Sequence, residues 1–298
     1  MANHTLNNQV CQRRLCFPLL NHIIPFTMDG VKPRMGIQPQ YWKFLVILAF
    51  GLTLIAWLLN TPPGLLGKAD AIGYAVCHRI DLRSFYLGDR QLPLCTRCSG
   101  MYLGAVLGLA YQWITARRRA GIPSWKIIVP TSILVFAFIF DGVNSFLNLF
   151  PGAPVLYQPH NTLRLLTGTG MGLAIAILLF PAFNTSVWRD FDSRPAMSSL
   201  PSFFLLVLLA LGLDILVLLN IPAVLYPLAL VSAGGVLVLL TLVYAMLLLV
   251  VFKAENRYNQ LSQLAFALLG GLTIALIQVG ILDILRYLFT GTWDGFHI

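Results

Sequence analysis

The chain has 298 residues, of which 58% are hydrophobic and only 10% charged, with a formal net charge of +9. An ordinary soluble domain carries about 25% charged residues, so this chain cannot clothe a water-facing surface, and a soluble enzyme is excluded. Intrinsic disorder is excluded as well, because it needs low hydrophobicity and high charge.

Residues 1–40 are polar to mixed and hold Arg13, Arg14, Lys32 and Arg34. The apolar patch from Leu15 to Phe26 is broken by Pro18, Asn21, His22 and Pro25. It lacks a clean apolar region and a small-residue cleavage site, so it does not read as a signal peptide. Met28 and Met35 are alternative starts.

A hydrocarbon core of about 30 Å needs about 20 apolar residues in a helix. Seven such spans are expected, at 43–60, 98–115, 126–149, 162–183, 201–220, 224–252 and 261–289. Apolar runs of this length satisfy their backbone groups in lipid only as helices. The expected fold is therefore all-α, a polytopic transmembrane helical bundle of about seven spans. Three regions follow: an extension at 1–40, a membrane core at 41–183 with a large loop at 61–97, and three further spans at 184–298.

Basic residues set the orientation. With the N-terminus in the cytoplasm, one side collects Arg13, Arg14, Lys32 and Arg34 with Lys43, Arg117, Arg118, Arg119, Lys126, Arg189, Arg194, Lys253 and Arg257. The other side holds Lys68, Arg79, Arg83, Arg90 and Arg97, all in the 61–97 loop. The expectation is a multi-pass protein of the cell membrane with its N-terminus cytoplasmic and its C-terminus outside. The positive balance does not point to nucleic acid, because no basic stripe is interleaved with aromatics. The lipid bilayer is the one certain partner. A homo-oligomer is left open, and no substrate is legible.

The outer loop holds three of the five cysteines. Cys77-His78 is followed by Cys95-Thr96-Arg97-Cys98, two ligand pairs that have the look of a metal site. Zinc accepts a Cys₃His set tetrahedrally. Cys77, His78, Cys95 and Cys98 are the candidate ligands, provided the backbone at 77–78 is not helical. A c-type haem is not expected, since Ser99 stands where Cys-x-x-Cys-His requires histidine. A redox dithiol or a structural disulfide are the alternative uses of these cysteines. Cys11 and Cys16 are unassigned thiols. His4, His22 and His297 read as surface histidines.

Polar groups inside spans are the second constellation, because each costs about 2.5–3.5 kcal/mol at a helix centre on insertion scales. They are Asp141 and Asn144 in the third span, Asp214 in the fifth, Asp283 and Arg286 in the seventh, and His160, Asn161 and Arg164 opening the fourth. At 1.5 Å per residue the three aspartates lie about 12–15 Å below the outer span ends. A shared polar pocket under the Cys/His loop is one reading. Local pairing, Asp283 with Arg286 and Asp141 with Arg164, is the other. Gly100, Gly104 and Gly108 line one face of the second span, and Gly168 and Gly172 one face of the fourth, which predicts tight crossings there.

The stretch Cys77-His78, Arg83-Ser84-Phe85 and Pro93-Leu94-Cys95-Thr96-Arg97-Cys98-Ser99-Gly100-Met101-Tyr102-Leu103-Gly104, with Asp141 and Asn161-Thr162-Leu163-Arg164-Leu165-Leu166-Thr167-Gly168, resembles an uncharacterised prokaryotic membrane family, the domain-of-unknown-function family 2085. The resemblance covers roughly residues 70–180. It implies a multi-pass membrane protein, brings no activity, and implies that Cys77, His78, Cys95, Cys98, Asp141, Asn161 and Arg164 belong together.

The expectation is an integral membrane protein with a Cys/His zinc site at its outer face, over an Asp/Asn/Arg pocket. Zinc would staple the loop or activate water, with an intramembrane carboxylate as general base. Asp141 and Arg164 are the candidate catalytic residues. Whether the protein is an enzyme stays open. The rivals are a quinone-linked thiol oxidoreductase at Cys95/Cys98, and a transporter or channel using Asp141, Asp214 and Asp283.

Overall fold

The computed structural model describes residues 39–150 and 152–295. The N-terminal extension, with its cysteines and histidines, and His297 lie outside the described residues. From Gln40 onward the chain forms one unit.

The apolar runs are helical throughout. In chain order the helices are α1 (Pro39–Asn60), α2 (Gly64–Val76), α3 (Thr96–Ala116), α4 (Trp125–Leu147), α5 (Asn161–Val187), α6 (Leu200–Leu218), α7 (Pro222–Val251) and α8 (Leu261–Thr290). Six of them, α1 and α4 to α8, are long and apolar enough to cross a membrane. α3 fills the expected span at 98–115, but Thr96, Arg97, Ser99 and Gln112 dilute its apolar character. It is sheltered between α5 and α7. Its buried Gln112 donates to Gly108 O at 3.1 Å and to Ala176 O at 2.9 Å. The fold is thus the all-α bundle that the composition requires. Strands among the described residues are two short pairs: β1 (Tyr86–Leu87) with β2 (Arg90–Gln91), antiparallel, and β3 (Arg119–Gly121) with β4 (Asp192–Pro195), parallel.

α3 and α5 form the most intimate helix pair. A Cβ at Gly104 would lie 2.4 Å from Thr169 O, and one at Gly168 would lie 2.2 Å from Arg97 O. Only hydrogen fits at either place, so the two glycine faces bring the helix backbones together. α4 and α6 flank α5, while α7 joins α3 to α8. Outward-facing residues such as Phe136, Ile139, Leu208, Ile284 and Leu288 stay exposed, as lipid contact allows.

α1 stands apart from this packing and exposes apolar residues all along its length. It touches the rest of the unit near its ends, where Trp42 meets Phe252 with ring centroids 6.1 Å apart and Trp57 packs against the apolar cluster that includes Ala69 and Ile72.

The 61–97 segment is not one plain loop. It folds back as α2 and the β1–β2 hairpin, which turns at Gly88 with φ +62°. At 13 residues α2 is too short to span a bilayer. It rests against α7 and α8 instead, with Tyr74 fully buried.

Candidate functional site

The end of α2 and the start of α3 meet through sulfur. α2 stops at Val76 because Cys77 takes an extended backbone, φ −133° and ψ 143°, while its N–H still donates to Gly73 O at 2.8 Å. Cys95 is the N-cap of α3, and Cys98 sits one turn into that helix. The Cys95 N–H donates to Cys77 Sγ at 3.2 Å. All three sulfurs lie within 4.8 Å of one another. Cys77 and Cys95 are buried and Cys98 half-buried.

Hydrogen bonds from the Cys95 and Cys98 thiols hold Cys77 well below the ordinary thiol range. The reciprocal bond to Cys77, with burial, pushes Cys95 up to about 12. Three sulfurs this close to one another make a soft, metal-competent donor set.

His78 is not in that group. On extended backbone, successive side chains point to opposite sides, so the residue after Cys77 turns away from it. The His78 Nδ1 accepts the Ile80 N–H at 3.0 Å. Burial, opposed by the Cys77 charge and aided by Arg83, Arg97 and Arg164, lowers its pKa. That direction favours the neutral imidazole, the form that binds metals.

A polar nest around Asp141 is tied to the sulfur end through Arg97, which stands between Cys95 and Cys98. Asp141, almost fully buried on α4, pairs through Oδ2 with Arg97 of α3. The Tyr157 hydroxyl donates to its Oδ1 at 2.7 Å, and Thr167 Oγ1 reaches Oδ2 at 3.4 Å. Asn144, one turn further along α4, clamps the connection to α5. Its Nδ2 donates to Tyr157 O at 2.9 Å and its Oδ1 accepts the Leu156 N–H at 2.8 Å. Asn161 Nδ2 donates to Leu82 O at 3.3 Å, and its Oδ1 accepts Arg164 Nη1 at 2.9 Å. The carboxylate of Asp141 thus meets Arg97, and Arg164 is held by Asn161.

The other candidates sit elsewhere. His160 is the exposed N-cap residue of α5 and makes no side-chain cap bond. Asp214 Oδ1 accepts Thr169 Oγ1 at 2.6 Å, and Asp214 lines a cavity of about 280 Å³ between α4, α5 and α6. Asp283 lines a separate groove of about 670 Å³ between α1 and α8, and its carboxylate oxygens accept no hydrogen bond among the described residues. Arg286 reaches toward the sulfurs. It donates through Nη1 to Tyr74 O at 2.6 Å and Cys77 O at 2.5 Å, and through Nη2 to His78 O at 3.2 Å. The three aspartates therefore serve three different places.

Sequence reasoning missed Arg97, Tyr157, Thr167 and Ser145 as members of the nest. Arg97 carried a signal, as the residue between the two cysteines of Cys-x-x-Cys. Tyr157 lies in a polar connection and carried none.

Residues 77–178 match the family described as "Predicted membrane protein (DUF2085)". The chain is 23% identical over 159 residues to an uncharacterised protein of Methanocaldococcus jannaschii, covering 53% of this chain and 82% of that one. It is 29% identical over 103 residues to an uncharacterised protein of Methanothermobacter thermautotrophicus, covering 35% of this chain and 83% of that one. No solved structure matches the chain. The stretch that carries both the sulfur cluster and the Asp141 nest is the part of this multi-pass membrane protein that matches the DUF2085 family.

Proposed function

We propose that the protein is a membrane metalloprotein whose ion, zinc first among candidates, is held by Cys77, Cys95 and Cys98. The observation that carries this reading is the convergence of three sulfurs within 4.8 Å from two separate elements. A disulfide uses two sulfurs and leaves the third without a role, whereas zinc takes three protein ligands and keeps a fourth position for water, substrate or another side chain. His78 is the nearest fourth ligand by sequence, reached by its Nε2 after a local turn of the backbone. We place this end of the bundle on the outer face, because the basic anchors Arg117, Arg118, Arg119, Lys126, Lys253 and Arg257 gather at the other end.

An ion here would act as a Lewis acid and lower the pKa of bound water. Asp141 then stands as the nearby carboxylate, with Arg97 and Tyr157 fixing its orientation. Arg164 supplies positive charge for a developing anion.

The test is elemental analysis of detergent-purified protein beside a thiol count. About one zinc per chain is expected, lost in Cys95→Ser and Cys77→Ser. Metal-free protein with all three thiols open to alkylation overturns the reading. Protein that is metal-free because two thiols have become a disulfide moves the site to thiol–disulfide exchange instead.

A further inference from the structure

We propose that Arg83, Arg97 and Arg164 form a binding site for a phosphate-class oxyanion, next to the sulfur cluster but independent of any ion in it. The reasoning begins with where the cations at this end of the bundle go. Lys68 donates to Leu58 O, Thr61 O and Thr61 Oγ1 at 2.5, 3.0 and 2.8 Å. Arg79 and Arg90 share Asp70 at 3.1 and 2.5 Å. Arg286 is directed at backbone carbonyls. Arg83, Arg97 and Arg164 instead lie within electrostatic reach of one another.

Ser145 links the first two, since its carbonyl accepts Arg83 Nη2 and its hydroxyl accepts Arg97 Nη2, each at 3.0 Å. Asn161 ties Arg164 to Leu82, the neighbour of Arg83. Asp141 pairs with Arg97, and Asp81, in the turn before Arg83, is set against Tyr86. Three guanidinium groups against the one Asp141 carboxylate leave this cluster net positive.

Two further observations point to an anion. The Nε of Arg97 and the Nε of Arg164 are both buried without a hydrogen-bond partner, and Arg164 is only 6% exposed. A buried donor left unpaired is costly, and a guanidinium answers best to an oxyanion. The N-termini of α3 and α5 also meet here. Neither helix has an acidic residue in its first turn or a side-chain cap bond. A helix N-terminus favours negative charge and disfavours arginine. An arginine in the opening turns of each helix, Arg97 and Arg164, is the opposite of what the helices want unless an anion lies between. A phosphate monoester or free phosphate supplies negative charge and the several acceptor oxygens that these donors lack.

The same chemistry can come from a lipid headgroup or from solution, so the experiment has two arms. Full-length protein in phosphate-free buffer and a neutral detergent is titrated calorimetrically with inorganic phosphate and with short-chain phosphatidic acid. Saturable binding of at least one is expected. Arg83→Gln should weaken it by about tenfold or more, the loss that follows removal of a charge-assisted partner. Arg90→Gln, a charge change at the same end but outside the cluster, should leave it unchanged. Tighter binding of phosphatidic acid assigns a lipid headgroup, and equal or tighter binding of inorganic phosphate assigns a soluble ligand. If neither binds saturably, or if Arg83→Gln and Arg90→Gln act alike, the proposal is overturned. Arg83 is half-exposed, so its variant is chosen over the buried Arg164, with thermal unfolding read alongside to show that the fold persists. A metal-free preparation that still binds phosphate keeps this inference separate from the metal reading.

Discussion

Asn144 shows how a single side chain shapes the site. Its two bonds to the backbone of 156–157 hold Tyr157 where the phenol can reach Asp141. Asn144→Leu removes the partners of two half-buried backbone groups, and about 1–3 kcal/mol of stability should go with them. A thermal melt lowered by only a degree or so would show that water replaces the amide. Tyr157 is the second test. Burial, then the hydrogen bond to Asp141, raises its pKa to about 12. The folded state therefore keeps this proton where the unfolded chain, near 10, has lost it. Its contribution to stability is complete below pH 10 and disappears as the pH climbs through 12. Phenolate absorbance should lose one late-titrating component in Tyr157→Phe, and that component should move toward 10 in Asp141→Asn. A titration unaltered in both variants contradicts the Tyr157–Asp141 bond.

Among the elements, the α3–α5 pair decides whether the site exists, because it sets Arg97 and Arg164 side by side. Gly168→Ala places a methyl group against Arg97 O. Overpacking of this kind typically costs about 1–3 kcal/mol, and here it should also cost bound metal, because the start of α3 must move. Gly142 on α4 has open space around it, so Gly142→Ala should be neutral in both melting temperature and metal content. Equal effects of the two substitutions would count against a glycine-closed interface. This pairing was legible in the sequence, since glycines at every fourth residue can only line one helix face. The long apolar runs were legible for the same kind of reason, as nothing but a helix suits them in lipid. α2 was not. Its Gly-Leu-Leu-Gly-Lys-Ala-Asp stretch is too short and too mixed to look membranous, and only its contacts with α7 and α8 make it a helix. Nor was the partner of Asp141 legible. Arg97 and Arg164 lie at corresponding heights on adjacent helices, and helix rotation, which spacing does not fix, chose between them.

Across the whole molecule, the two halves of the chain are joined at the sulfur end. Residues 77–178 carry the family match, yet α8 holds the backbone on which Cys77 sits. Arg286 grips three carbonyls around the end of α2 and stacks on Tyr74 with its guanidinium 4.1 Å from the ring centroid. The Tyr74 hydroxyl reaches back to Thr290 Oγ1 and Thr292 O, each at 2.7 Å. Bonds of this charge-assisted kind are worth about 1.5–3 kcal/mol each. Arg286→Leu should therefore loosen Cys77 without touching a sulfur, read as faster alkylation of its thiol.

That clasp has a consequence in time. The ribosome delivers Cys77, Cys95 and Cys98 early, but Arg286 emerges some two hundred residues later, so the cysteine end stays unlatched through most of synthesis. A nascent chain halted before α8 should show its thiols open to a membrane-impermeant reagent, and the completed chain should show them protected. If protection is already present in the arrested chain, α8 only decorates a site that the earlier helices have finished.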